Sequence, residues 1–221
     1  MPVIRRIASL LGRLRRDTSG VAVIEYAFTA PIFLTLFLSG AEVTNFTLAK
    51  LRVSQLALHV ADNGSRIGSD SILALKQISE AQINDLLIGA GLQAGTLDLK
   101  GRGRVILYSL EPMASPNQSK FYVHWRRCFG DRAYDGSYPQ GKDHLTAIGP
   151  PGKEVEAVPP GGGVMYVEVE YEYQPLISGR LVPTRVMRDT AAMVVRDERD
   201  FNGGVNKSGI YNSENATAST C

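Results

Sequence analysis

Three histidines, two cysteines and a short run of glutamates carry what chemistry this chain could offer to catalysis or metal binding. His59, His124 and His144 stand at no metal-ligand spacing with Cys128 or Cys221, and C-x-x-C is absent. His59 falls on a predicted helix and His124 on a predicted strand, so ordinary solvated or packed histidines are expected. The G-R-G-R string at 101–104 lacks the Lys-Ser/Thr and the helix start of a phosphate loop, and reads as a turn entering a strand. Glu168, Glu170 and Glu172 alternate along a predicted strand. They could hold a cation or face a basic partner, but a solvated sheet face is the simpler expectation. In the Trp125-Arg126-Arg127 cluster, either a partner subunit is contacted or Arg126 pairs with that acidic strand. No catalytic constellation emerges, so the chain is expected not to be an enzyme and to use no cofactor or metal.

A different kind of chemistry is suggested by one acid. Arg13, Arg15 and Arg16 precede Gly20, and an apolar run follows from Val21 to Leu38 whose one charge is Glu25. Eighteen residues of helix span about 27 Å, close to a hydrocarbon core of about 30 Å. A buried soluble helix would need a polar face, and only Glu25, Thr29, Thr35 and Ser39 are available. The run is therefore predicted to cross a membrane. The first twenty residues hold five arginines and one acid, and no Lys or Arg follows the run until Lys50. Positive flanks stay in the cytoplasm, so the N-terminus is predicted inside and the rest outside. The net charge of +2 argues for no nucleic-acid partner.

Three fates are open to such a segment. A Sec-type signal would be cut at its far end, near Ser39-Gly40-Ala41, but signal cores are shorter and carry no acid. An uncleaved anchor would gain nothing from Glu25, which costs free energy in lipid unless Arg15 or Arg16 folds back to pair with it. Cleavage after Gly20 would instead make Val21 the first residue, with a free α-amine about 6 Å along the axis from Glu25. In a stack of such helices, Glu25 of one subunit could meet the amine of the next and fix the register.

The string T-S-G-V-A-V-I-E-Y-A-F-T-A-P-I-F-L-T-L, over Thr18–Leu36, resembles the N-terminus of the TadE-like family. These are minor pseudopilins of the Tad (tight adherence, Flp-type) pilus. Gly20 followed by Glu25 and Tyr26 is similar to the G-x-x-x-x-E-Y processing site of Flp-type prepilins. The resemblance covers about residues 14–66. It implies a prepilin-type leader over 1–20, cut by a prepilin peptidase between Gly20 and Val21, with Glu25 and Tyr26 serving assembly. It further implies inner-membrane residence, a periplasmic C-terminal domain, and as partners other pseudopilins, the major pilin and the pilus assembly platform. Pro31 lies inside the helix, as prolines often do in this family, and is expected to kink it.

The predicted architecture is α+β. A transmembrane helix over 21–40 continues as an amphipathic helix over 41–67. Phe46, Ala49, Val53, Leu56 and Val60 form its apolar stripe, with Glu42, Asn45, Lys50 and Arg52 largely off it. Asn63-Gly64 is the expected stop. A second helix is expected over Ser71–Gly89, capped by Ser69 or Asp70. A small antiparallel sheet should complete a domain over 68–200. Its strands are read at Arg104–Leu110, Phe121–Arg126 and Met165–Tyr173, with one or two more in Arg180–Val195. On the second of these, Phe121, Val123 and Trp125 are expected to share a face. On the third, Met165, Val167, Val169, Tyr171 and Tyr173 take the inner face and the three glutamates a wet one. A long Gly/Pro-rich loop, about 129–163, separates the second and third strands. The tail, 201–221, reads as flexible unless Cys221 ties it down. Cys128 and Cys221 are compatible with one disulfide in an oxidising compartment, or are two free thiols. The alternative to a pseudopilin is an uncleaved single-pass protein whose outer domain binds a ligand or an envelope partner. A secreted enzyme behind a Sec signal is a third reading.

Overall fold

The computed structural model describes residues 12, 19–69, 74–117 and 119–221. Arg13, Arg15 and Arg16, most of the expected leader, and Asp70 and Ser71 at the expected start of the second helix lie outside the described residues. Helix α1, Ser19–Arg66, has 48 residues and is about 72 Å long at 1.5 Å per residue. It runs unbroken through Pro31, Gly40 and Gly64. A short strand β1, Ile78–Ser79, leads into helix α2, Glu80–Gln93, and the single turn α3, Leu99–Arg102. Four strands follow: β2 (Gly103–Pro112), β3 (Phe121–Phe129), β4 (Val164–Glu172) and β5 (Val186–Val194). They form one antiparallel sheet in the order β3-β2-β4-β5. The two-residue strand β6, Ile210–Tyr211, pairs with β1 in parallel. The long apolar helix and small antiparallel sheet make an α+β chain.

Only the second half of α1 belongs to the domain. Ala49, Val53, Leu56, Ala57, Val60 and Ala61 are buried against the sheet. Their spacing of three and four puts them on one face, and the sheet gives that face an apolar floor of Val105, Leu107, Met165, Val167 and Val169. Burying the valine, leucine and methionine side chains among them is worth about 1.5–3 kcal/mol each. The helix and β4 run in opposite directions. A Cβ placed on Gly64 would lie 3.6 Å from Met165 near the start of β4. Phe46 meets Tyr173, just past the end of β4, edge to face at 5.3 Å. The connection from β4 to β5 therefore lies at the end of the domain where the free half of α1 departs.

Helix α2 starts later than expected. Its N-cap is Ser79, whose side chain accepts from Gln82 N–H while the Gln82 side chain accepts from the Ser79 N–H. This reciprocal capping box is a stronger start signal than a lone Ser69 or Asp70. The segment before it is extended, bridging Gln77 to Ser69 and Lys76 to Arg199. Gly89 and Gly91 lie inside α2 rather than ending it. A Cβ on Gly91 would come within 2.8 Å of the Phe129 ring, so the glycine lets the helix close on β3.

Two further expectations fail for reasons that are not local. The glutamate face of β4 is not wet, because Glu168 and Glu170 are buried. The long loop between β3 and β4 folds back over this side of the sheet. There Ile148, Val158 and the partly buried Tyr134, Tyr138 and Leu145 build a second core on Ile106, Tyr108, Val123 and Tyr166. Gly136, at φ 75°, presses the loop down; a Cβ there would overlap the Tyr108 hydroxyl at 2.0 Å. The second failure concerns Trp125, which does not share a face with Phe121 and Val123. A register shift between Ser109 and Leu110 skips His124 in the pairing, and one extra residue inverts a strand's alternation. Trp125 joins the helix-side core while Phe121 and Val123 join the loop-side core.

The tail is held along its length. β6 pairs with β1, the Asn84 amide donates to the Thr217 carbonyl at 2.8 Å, and Cys128 N–H donates to the Ser219 carbonyl at 2.8 Å. A disulfide joins Cys128 to Cys221, with Cα atoms 5.0 Å apart.

Candidate functional site

The residues singled out at the N-terminal end all lie on the free half of α1. Val21, Val23, Ile24, Tyr26, Phe28, Ile32, Phe33, Leu34, Leu36 and Phe37 are exposed, Tyr26 at 73%. Gly20 and Glu25 are exposed too. The domain covers none of the window that makes α1 long and apolar enough to cross a membrane. The two threonines of this half turn inward on the helix backbone. Thr29 Oγ1 donates to the Glu25 carbonyl at 2.8 Å, and Thr35 Oγ1 to the Pro31 carbonyl at 2.7 Å. Such back-bonding hides the hydroxyls and suits an apolar solvent. Pro31 has no N–H, so the Ala27 carbonyl loses its usual donor four residues on. Glu25 has no side-chain partner among the described residues. Gly20, Val21, Glu25 and Tyr26 thus share one open helical segment, while Cys128 and Cys221 lie in the domain.

Where the free half meets the domain, a second acid is fully enclosed. Glu42 is 0% exposed. Its Oε1 accepts from the Tyr173 hydroxyl at 2.7 Å and its Oε2 from Ile177 N–H at 2.7 Å. Asn45 donates to the same Tyr173 oxygen at 2.7 Å. Burial pushes the Glu42 carboxyl up, but the Tyr173 hydroxyl and the backbone N–H groups of Ile177, Ser178 and Leu176 outweigh it and hold the group below its ordinary value. Tyr173 is moved the other way, pushed up to about 12 by its burial and by Glu42.

The opposite end of the docked half is closed by a cation. Arg199 is buried, and its Nη2 donates to the carbonyls of Gly64 at 3.1 Å and Ile67 at 3.0 Å. These oxygens sit at the helix C-terminus, where the last turn lacks donors of its own. Burial lowers Arg199 to about 10, which still leaves it charged at neutral pH. Two ionised groups from distant parts of the chain thus bracket the docked half.

Neither bracket is evident from the sequence alone. Glu42 lies largely off the predicted apolar stripe, yet it precedes Phe46 by four residues and falls in register with it. That spacing is the signal that could have found it. Arg199 has no local signal, since its acceptors are about 130 residues away.

The candidate chemical clusters are internally satisfied. Glu168 accepts from the hydroxyls of Tyr108 at 2.7 Å and Tyr134 at 3.3 Å and from Ser137 N–H at 2.9 Å. Glu170 takes Arg132 at 2.6 Å and also Arg188, and Glu172 takes Arg132. Arg126 does not reach these acids; it donates to the carbonyls of Asp135 and Tyr138. Arg127 pairs with the buried Glu80 and ties β3 to α2. His124 meets Glu111 at 2.7 Å, and His59 is exposed on α1. Among the described residues, no three His, Cys, Asp or Glu side chains are grouped to hold a metal ion. A cleft of about 390 Å³ opens beside the covering loop, lined by Tyr134, Tyr138, Tyr166, Glu168, Arg188 and Asp189 among others. Comparison of the chain with protein-family models, with curated proteins and with solved structures finds no match.

Proposed function

We propose that the chain is a TadE-like minor pseudopilin. In this reading a prepilin peptidase cuts after Gly20, and the free half of α1 first anchors the subunit in the inner membrane, then packs it among other pilin helices. The observation that carries the reading is Glu25, a single acid on an otherwise apolar and fully open helical segment, five places past Gly20. Cleavage would expose the Val21 amine one helical turn below it. At about 4 Å and an effective dielectric of 20, Glu25 and the amine of a neighbouring subunit attract by about 4 kcal/mol, reduced by desolvation. The pair fixes how far one helix sits above the next. The domain stays outside the cytoplasm, offering a surface to other pseudopilins, the major pilin and the assembly platform. The exposed Val43, Leu48, Leu51 and Leu58 on α1 leave apolar surface for helix-to-helix packing beyond the membrane.

The test is the N-terminus of the mature chain from cells containing a prepilin peptidase. A chain beginning at Val21 is expected. Retention of residues 1–20 would overturn the reading, and a start near Ala41 would favour a secreted protein. The tyrosine-lined cleft favours a second reading, an uncleaved membrane-anchored protein that binds a ligand or envelope partner outside the cytoplasm. Retention of residues 1–20 is what that reading requires.

A further inference from the structure

We infer that the β4–β5 connection, residues 174–185, is a lipid-surface contact that seats the domain on the membrane. The inference rests on the reading of α1 as a membrane helix and adds a second point of attachment to it. Position is the first argument. Ile177 N–H is bonded to Glu42, and Glu42 lies four residues, about 6 Å, beyond Leu38 at the end of the apolar run. The headgroup layer adds roughly 5–7 Å to each side of the hydrocarbon. Glu42, and with it Ile177, therefore falls at headgroup depth. The antiparallel course of β4 along α1 makes this connection the domain's membrane-facing end.

Composition is the second argument. Leu176, Ile177 and Leu181 are exposed at 66%, 45% and 40%. Three large apolar side chains on one short connection are costly to leave in water, and at the interface they would leave it. Residues 174–185 contain Arg180 and Arg185, both exposed, and no acid. Glu42, the carboxylate bonded to this connection, is enclosed by Tyr173 and the connection's own backbone and shows the lipid no charge; of the two other acids near it, Glu172 is paired with Arg132 and Asp98 accepts from Gly101 N–H. Leucines flanked by arginines fit phospholipid headgroups, with the apolar tips below the phosphates and the guanidiniums among them. Pro175 and Pro183 limit the connection's freedom. The Glu42 bonds hold it against α1, so its ordering is already accomplished before it meets lipid.

The experiment places nitroxide labels on the full chain in vesicles of phosphatidylcholine and phosphatidylglycerol, with the native disulfide kept oxidised. Leu176→Cys reports the proposed contact, with Leu181→Cys as a second reporter. Phe33→Cys reports the membrane helix and Ala133→Cys, on the covering loop, reports water. Collision with oxygen against a nickel chelate gives the depth of each label. Labels at 176 and 181 are expected at headgroup depth, between the buried label at 33 and the aqueous label at 133. They should move toward the aqueous value when Arg180→Glu and Arg185→Glu are combined. A buried label at 33 with labels at 176 and 181 as aqueous as 133 would overturn the lipid contact and leave the anchor intact. An aqueous label at 33 would overturn the anchor itself and the contact with it.

Discussion

Glu25 and Glu42 stand on one helix, seventeen residues apart, and meet opposite surroundings. The carboxylate of Glu25 has no partner among the described residues and is ringed by exposed Val, Ile, Tyr and Phe. Glu42 is sealed by Tyr173, Asn45 and the backbone of the β4–β5 connection. Each has large apolar residues about one turn away, Val21 and Phe28 for Glu25, Leu38 and Phe46 for Glu42, so these neighbours do not separate them. What separates them is whether the rest of the chain supplies donors. An acid satisfied within the chain fixes the subunit's own shape. An acid left open on an apolar surface is available to something outside it. The two halves of α1 repeat the contrast, one resting on the sheet and one left bare.

The widest expected divergence comes from putting the same charge into each half. Val53→Asp buries an unpaired carboxylate under the sheet and should cost more than about 4 kcal/mol, removing the domain's thermal transition. Ile32→Asp should leave that transition in place and instead weaken membrane insertion by about 2.5–3.5 kcal/mol. Thermal unfolding in detergent and carbonate extraction of membranes read the two outcomes. If both variants unfold the domain alike, the halves are not independent.

Reducing the Cys128–Cys221 disulfide should come next. It closes a loop with a sequence separation of 93, for which chain entropy gives about 4–5 kcal/mol at most. The domain's transition should fall under dithiothreitol while membrane association persists. Loss of both together would show that the bare half depends on the domain.

Smaller again is the direct comparison of the acids. Glu42→Ala leaves the Tyr173 hydroxyl and Ile177 N–H without their acceptor, at a cost of about 1–3 kcal/mol. For a domain of this size that lowers the transition by about 2–12 °C. Glu25→Ala should not move it and, on the pseudopilin proposal, should lose assembly with pilin subunits. If Glu25→Ala assembles normally, the acid is not a register key.

The smallest effect is on acid stability. The folded value of Glu42 lies below its ordinary 4.5, so its contribution is complete above that pH. It fades as pH falls through the folded value. Asp200, held down first by the Tyr211 hydroxyl, adds a loss of the same sign. Unfolding at pH 7 and below pH 4 should show the decline, and Glu42→Gln should flatten part of it. An identical decline in that variant would remove Glu42 from the account.

Local patterns carried much of the fold. The period of Ala49, Val53, Leu56 and Val60 marked the docked face, and the alternation of Met165, Val167 and Val169 marked the inner face of β4, because each is set by one element's geometry. The start of α2 is also written locally, in the reciprocal Ser79 and Gln82 pair, although Ser69 and Asp70 offer the same residue types upstream. Other features were decided at long range. Whether Glu168 and Glu170 meet water depends on a loop some thirty residues earlier in the chain. Trp125 changes face through a bulge that alternation alone cannot show. In the candidate site, the shared helical segment of Gly20, Glu25 and Tyr26 was legible because it depends only on spacing along one helix. Tyr173 and Arg199 were not, because each acts on a partner more than a hundred residues away.

The opposed courses of α1 and β4 also have a mechanical side. A pull along the helix axis does not peel contacts apart one by one. It loads the Glu42 bonds, the apolar stripe and the Arg199 clasp in parallel, in shear. Traction applied to the bare half is passed whole to the sheet, and the loop-covered far face travels with it as cargo.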